Sequence, residues 1–139
     1  MSSGQITIAV DAMGGENSPY KVIKGTEIFI KKNPNVKIVF FGNKNLIKSS
    51  MNENNISINN CDVIDTQDHV LDEDNANTIL RSRKESSIYK GLEYVKKTNN
   101  AGFVSSGNTA AIMILSRLHL GMIDGIDRPA ICSLIPNRN

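Results

Sequence analysis

Gly102-Phe103-Val104-Ser105-Ser106-Gly107-Asn108-Thr109, followed without a break by the apolar run from Ala110 to Leu120, decides the fold of this chain. A short apolar segment ends in small polar residues and passes straight into a helical pattern, the signature of a strand, a turn and a helix. At such a junction the first helical N–H groups lack intrahelical acceptors and the helix dipole is positive, so the backbone itself can hold an anion. Gly107 lets that backbone come close, Ser105, Ser106 and Thr109 add hydroxyl donors, and Asn108 adds an amide. A phosphate or a developing oxyanion can be gripped here without any lysine. The same residues also suit a plain helix cap, and the turn taken alone leaves both roles open.

Outward from this junction the chain alternates. Ile6 to Val10 is a β-branched run closed by Asp11-Ala12-Met13-Gly14-Gly15, which predicts a buried first strand with a glycine turn. Ser18-Pro19 predicts a helix start, the hydroxyl as cap and the proline at the first helical position, with apolar residues continuing through Ile30 and Asn33-Pro34-Asn35 as the stop. Val36 to Phe41 is a second strand ended by Gly42-Asn43, and Leu46 to Met51 a short second helix. Strand, helix, strand, helix predicts an α/β fold with a mostly parallel sheet and helices on its faces. Ile56-Ser57-Ile58 and Val63-Ile64 are brief strand candidates. From Asp65 to Asn77 acids and amides dominate, with Asp68, Asp72, Glu73 and Asp74 close together, and a mobile loop or lid is expected. Ser86 or Ser87 caps a helix whose Ile88, Leu92 and Val95 recur at helical spacing, His119 and Gly121 close the helix that begins at Ala110, and Ala130 to Ile135 reads as a final strand.

The 139 residues suit one domain of ordinary size. A net charge of +2 gives no global case for binding nucleic acid or an acidic partner, and no nucleic acid is expected as a partner. Cys61 and Cys132 match no metal spacing and, each beside apolar residues, read as buried free thiols in a reducing compartment. Met1-Ser2-Ser3-Gly4-Gln5 lacks the basic region and apolar core of a signal peptide, and no apolar run reaches the ~20 residues of a spanning helix. A cytoplasmic chain is expected.

Ligands of open parallel sheets collect beyond the carboxyl ends of the strands, where Asp11 to Gly15 and Ser105 to Thr109 both fall. If their strands are neighbours, one cleft sets an acidic, glycine-lined loop against a donor-rich helix start. Gly14-Gly15 belongs to no dinucleotide fingerprint, and there is no Walker lysine, so a tight turn explains the pair equally well. Asp11 suits a general base, an acceptor for a ligand hydroxyl, or the partner of a cation such as Arg128. Arg81, Arg83 and Lys84 form either a substrate-phosphate or protein-partner patch or a solvated helix face. His69 and His119 have no serine or cysteine and acid around them in sequence, which argues against a triad.

Four separated segments, Ile-Ala-Val-Asp-Ala-Met-Gly-Gly-Glu-Asn at 8 to 17, Arg-Lys-Glu-Ser-Ser at 83 to 87, Val-Ser-Ser-Gly-Asn-Thr at 104 to 109 and Gly-Ile-Asp-Arg-Pro-Ala at 125 to 130, resemble the bacterial phosphate acyltransferases of the PlsX type, in the right order. The resemblance implies a three-layer α/β/α fold similar to the isocitrate dehydrogenases. It implies transfer of a fatty acyl group from acyl carrier protein to inorganic phosphate, giving acyl phosphate for phospholipid synthesis, by a homodimer working at the inner membrane surface. No metal or organic cofactor is implied. Phosphate must then be held as a nucleophile against a thioester carbonyl, which calls for anion-binding donors rather than a covalent nucleophile. On that basis Asp11, Asn108 and Thr109 are the expected catalytic residues. Gly14, Gly15, Ser105, Ser106 and Gly107, with Arg81 and Lys84 as supporting cations, are the expected substrate contacts.

The sequence also departs from the family, which usually has aspartate at Glu16, often glycine at Ala110 and commonly proline around Ala76. The family chain continues for more than this length again, and Asn137-Arg138-Asn139 does not resemble its continuation. Residues 1–139 are therefore expected to form the N-terminal part of a single phosphate acyltransferase domain, incomplete at the C-terminus. A truncated, non-catalytic remnant or anion-binding module is the alternative, and a phosphotransacetylase-like enzyme a weaker one.

Overall fold

The computed structural model describes residues 4–71 and 73–136; Asp72 and the segment Asn137-Arg138-Asn139, both used above, lie outside the described residues, as do Met1-Ser2-Ser3. Four strands and five helices follow one another as β1 (Thr7–Asp11), α1 (Tyr20–Lys32), β2 (Lys37–Gly42), α2 (Lys44–Glu53), β3 (Cys61–Asp65), α3 (Ala76–Ser82), α4 (Ser87–Lys97), β4 (Ala101–Val104) and α5 (Thr109–Leu120). All strand pairs are parallel, and the sheet order is β3-β2-β1-β4. The predicted α/β class with helices on both faces is the observed one.

Burial explains the order. In β2 all residues after Lys37 are buried, as expected of a central strand covered on both faces, whereas β4 alternates between half-buried and exposed at the edge. Val10, Ile38 and Phe40 pack on one face with Ile23 and Ile30 of α1 and Ile47 of α2. Ala9, Val39 and Phe41 face the other way, toward Tyr94 and Val95 of α4. Behind them Ile88 and Leu92 of α4 meet Ala111 and Leu115 of α5 and Ile79 of α3. Two helices thus cover one face and three gather on the other, the three-layer arrangement that right-handed crossovers produce. The direction of winding reverses between β1 and β4: the chain steps from β1 to β2 to β3, then crosses back to place β4 on the far side of β1.

Several expectations are corrected. Ser18 does not cap α1; its hydroxyl donates to the Gly14 carbonyl, and the residue before the first helical turn is Pro19. Ile56 and Ile58 are buried plugs at the end of α2 rather than strand residues, and β3 instead spans Cys61–Asp65. The polar stretch expected as a mobile loop is fastened. Arg83 donates to both carboxylate oxygens of Asp68 at 3.0 and 3.1 Å, and to Asp74 through Nε at 2.7 Å and Nη2 at 2.9 Å. Its end already belongs to α3, capped by the Asn75 side chain. Ala130 to Ile135 is not a strand. It finds no neighbour to pair with among the described residues, Leu134 is 98% exposed, and Cys132 within it is exposed rather than buried, while Cys61 on β3 is half-buried.

Candidate active site

Because β1 and β4 are neighbours, with Val10 opposite Val104, the two loops singled out in the sequence leave the sheet side by side at its carboxyl end. This is the point where the strand order reverses, the place where open α/β sheets hold ligands. The loops are stitched together. Ser105 Oγ–H donates to Asp11 Oδ2 at 2.6 Å and in turn accepts the Gly107 N–H at 3.0 Å, while Ser106 Oγ–H donates to the Gly14 carbonyl at 2.9 Å. Asp11, 1% exposed, has its other oxygen bound by the Met13 N–H at 3.0 Å.

The glycines have a steric purpose. A β-carbon on Gly14 would lie 2.5 Å from Asp11 Oδ2 and 2.7 Å from the Gly107 nitrogen, so only glycine lets the two loops touch. Gly15 has φ of +84°, a conformation that glycine adopts without strain. Asn108 caps α5 by accepting the Ala111 N–H at 2.9 Å, which commits its oxygen and leaves its NH2 group as a donor.

A small cavity of about 40 Å³ lies in the angle of these loops, lined by Asp11, Met13, Gly14, Gly15, Gly107 and Asn108 from the two strand ends, by His69 and Val70 from the fastened loop, and by Ser87 and Ile88 from the start of α4. It opens outward past Glu16, Leu71, Glu73 and Ser106. On the other side of Asp11, Ser105 and Ser106 a wider groove of about 350 Å³ runs along the sheet between α1 and β4, walled by Ile8, Val10, Val22, Phe29, Ile38 and Val104 and flanked by Lys21. Gly25 of α1 also lines it, and a β-carbon there would meet nothing within 4 Å.

Of the residues expected from sequence, Asp11, Gly14, Gly15, Ser105, Ser106, Gly107 and Asn108 come together. Thr109 is exposed in the first turn of α5 and lines neither the cavity nor the groove. Arg81 and Lys84 are exposed and line neither; the middle cation, Arg83, is the engaged one, and it holds a loop rather than a ligand. Asp74 and Asp68 hold the Arg83 guanidinium firmly protonated, and Arg83, with the Leu71 N–H, holds the Asp74 carboxyl below the ordinary range. Ser87, His69 and Lys21 were missed. The only local signal was the Ser86-Ser87 pair, where one serine suffices as a cap. Among the described residues no group of three acids, histidines or cysteines is placed to hold a metal ion, and no helix is long and apolar enough to cross a membrane.

The fold is thus a parallel α/β sheet with a donor-lined cradle at its switch point. The family model described as fatty acid synthesis protein matches residues 6–139, and the chain belongs to that family, the PlsX-type one whose segments it resembles. It is similar to the phosphate acyltransferase of Caldicellulosiruptor bescii, 38% identical over 95% of this chain and 40% of the relative, and to that of Nitratiruptor sp., 40% identical over 94% of this chain and 39% of the relative. The phosphate acyltransferase of Ruegeria pomeroyi is 38% identical over 99% of this chain and 37% of its own length. The chain thus spans about two-fifths of the curated relatives it matches.

Proposed function

We propose that this chain carries the phosphate-holding part of an enzyme that transfers a fatty acyl group from acyl carrier protein to inorganic phosphate, forming acyl phosphate for phospholipid synthesis. The observation that carries this is the cradle at the switch point, where Asp11 at the end of β1 and the Ser105–Asn108 turn after β4 are joined by hydrogen bonds. A phosphate oxygen attacks the thioester carbonyl, the C–S bond breaks, and the carrier thiol leaves with a proton. Asp11 accepts from a phosphate hydroxyl and so turns another oxygen toward the carbonyl. The Asn108 amide and the free N–H groups of the first turn of α5 steady the charge on phosphate and carbonyl oxygen, a kind of donor worth about 10²–10³ in rate apiece. The groove between α1 and β4 supports the same reading, since a fatty chain needs apolar surface leading up to its thioester. Homodimerisation and work at the inner membrane face rest on the family resemblance.

The test mixes the chain with long-chain acyl carrier protein and phosphate and follows release of the carrier thiol, with and without the remaining part of the Caldicellulosiruptor bescii relative as a second polypeptide. Phosphate-dependent release in either arm supports the reading. Silence in both, with the complex formed, supports the second reading, an anion-binding module without transfer activity.

A further inference from the structure

We propose that the groove between α1 and β4 binds a single-chain amphiphile with an anionic head, its chain on the apolar wall and its head beside Lys21. The site shares its wall with the acyl group of the reading above but does not rest on that reading, since it needs neither bound phosphate nor transfer.

Two glycines leave the groove open. Gly25 lines it from α1, and Gly102 of β4 lies opposite Ile8 in the strand register, on the same face of the sheet as Ile8 and Val10. A β-carbon added at either would meet nothing within 4 Å. Glycine is unfavourable inside a helix or a strand, and here it keeps apolar surface bare. Val104 is 54% and Phe29 38% exposed, and Ile8 and Val22 are only half-buried. Adjoining apolar side chains left bare in a concave surface suit a ligand chain. About 350 Å³ is near the small end of ligand sites, which suits one chain rather than two.

The polar groups gather at one end. β1 ends at Asp11 and β2 begins at Lys37, so α1 runs back against the strands. Its first turn, with Lys21, therefore stands at the carboxyl end of the sheet near Ser105 and Ser106, while Phe29 lies about 12 Å further along the helix axis, toward the amino end. The hydroxyls that line the groove are committed: Thr26 donates to the Val22 carbonyl at 2.8 Å, Ser105 to Asp11 and Ser106 to Gly14. Asp11, the one carboxylate lining it, is covered by the Met13 N–H and the Ser105 hydroxyl, which blunts its repulsion of an anion. Lys21 is differently placed. Lys24 and Lys31 of the same helix are paired with Glu27, whereas Lys21 has no carboxylate within ion-pair distance among the described residues. A lysine stem lies readily along apolar surface with its ammonium in water. One uncommitted cation at the mouth of an apolar groove selects an anionic head, a long-chain carboxylate or a long-chain phosphate monoester.

Calorimetric titration of the chain with decanoate, decyl phosphate and decanol tests this. In Lys21→Glu the affinity for the anions relative to decanol is expected to fall about tenfold, and in Lys21→Ala by a smaller factor because an exposed pair is screened, with the melting temperature unchanged in both. Gly25→Leu, which fills the groove, is expected to weaken all three ligands. Tighter binding of decanoate or of decyl phosphate tells a carboxylate head from a phosphate one, and either sustains the proposal. An unchanged ratio of anion to decanol affinity in Lys21→Glu overturns it. So does full affinity in Gly25→Leu, or no binding of any of the three by wild type. Anion binding that depends on Lys21, in a chain that transfers no acyl group, sustains the proposal and counts against the transferase reading alone. Acyl transfer with an unchanged ratio in Lys21→Glu does the reverse.

Discussion

Ser105 is the residue on which the cradle turns, since one hydroxyl serves the Asp11 carboxylate as donor and the Gly107 amide as acceptor. Ser105→Ala strips both at once inside a buried site. It is expected to cost about 1–3 kcal/mol of stability, measured by denaturant unfolding, and to lower phosphate affinity. A serine serving only as a surface turn residue would cost a few tenths of that. The cradle itself was legible because glycine, serine and asparagine at a strand end carry their chemistry locally. Ser87, Lys21 and His69 were not, because their contribution comes from which loops the crossover brings together. The position of Arg81 and Lys84 was hidden for a related reason: three cations in four positions show charge, whereas only the fold shows that Arg83 turns inward, onto Asp68 and Asp74, and that the other two are exposed.

Two elements frame the site. On α1, Gly25 sits in mid-helix beside open space, where a leucine gains roughly 0.8–1 kcal/mol in helix propensity and fills the groove. Gly25→Leu is therefore expected to raise the melting temperature while weakening an acyl carrier substrate, read as a higher KM for that substrate and an unchanged one for phosphate. The loop before α3 is held by Arg83, and Arg83→Met is expected to speed amide hydrogen exchange across residues 66–75 without altering exchange in β1 and β2. The segment's acids and amides suggested mobility because composition alone cannot report a bidentate guanidinium nine and fifteen residues away in sequence. The opposite error occurred at Ala130 to Ile135, where apolar β-formers predicted a strand and no neighbouring edge is present to pair with it. The central strands were legible because β1 and β2 are buried on both faces and so read as continuous apolar runs.

Across the whole molecule, His119 and a set of depressed carboxylates, Asp74, Glu27 and Glu93, make stability depend on pH in separate windows. Burial holds the His119 imidazole below its ordinary value, with Glu93 opposing and Lys96 and Lys97 adding to the shift, and the ring packs edge-on against Tyr89 at 4.4 Å. The unfolded chain then takes up a proton near pH 6.5 that the folded one resists, so stability falls as pH drops below about 6.5. His119→Phe should flatten melting temperature against pH between 7 and 5. Asp74 is depressed by Arg83, so its contribution is complete above the ordinary aspartate value of about 3.9 and is lost as pH falls below it. That acid limb should shrink in Arg83→Met, where the Leu71 N–H alone still favours the Asp74 carboxylate and Glu27 and Glu93 keep their lysines, and persist in full in His119→Phe. Among the described residues, Ile123, Ile131, Leu134 and Ile135 are exposed and β4 is an edge strand of the sheet.

The central claim is that the facing strand ends of β1 and β4, closed by α4, hold inorganic phosphate. Titrating phosphate into isotope-labelled chain and following backbone amide resonances tests it most directly. Shifts are predicted to cluster at residues 13–15, 87–88 and 105–109, and to disappear in Gly14→Ala, whose β-carbon would force the loops apart. Shifts centred on the exposed Arg81 and Lys84 instead, or none at millimolar phosphate, would contradict it.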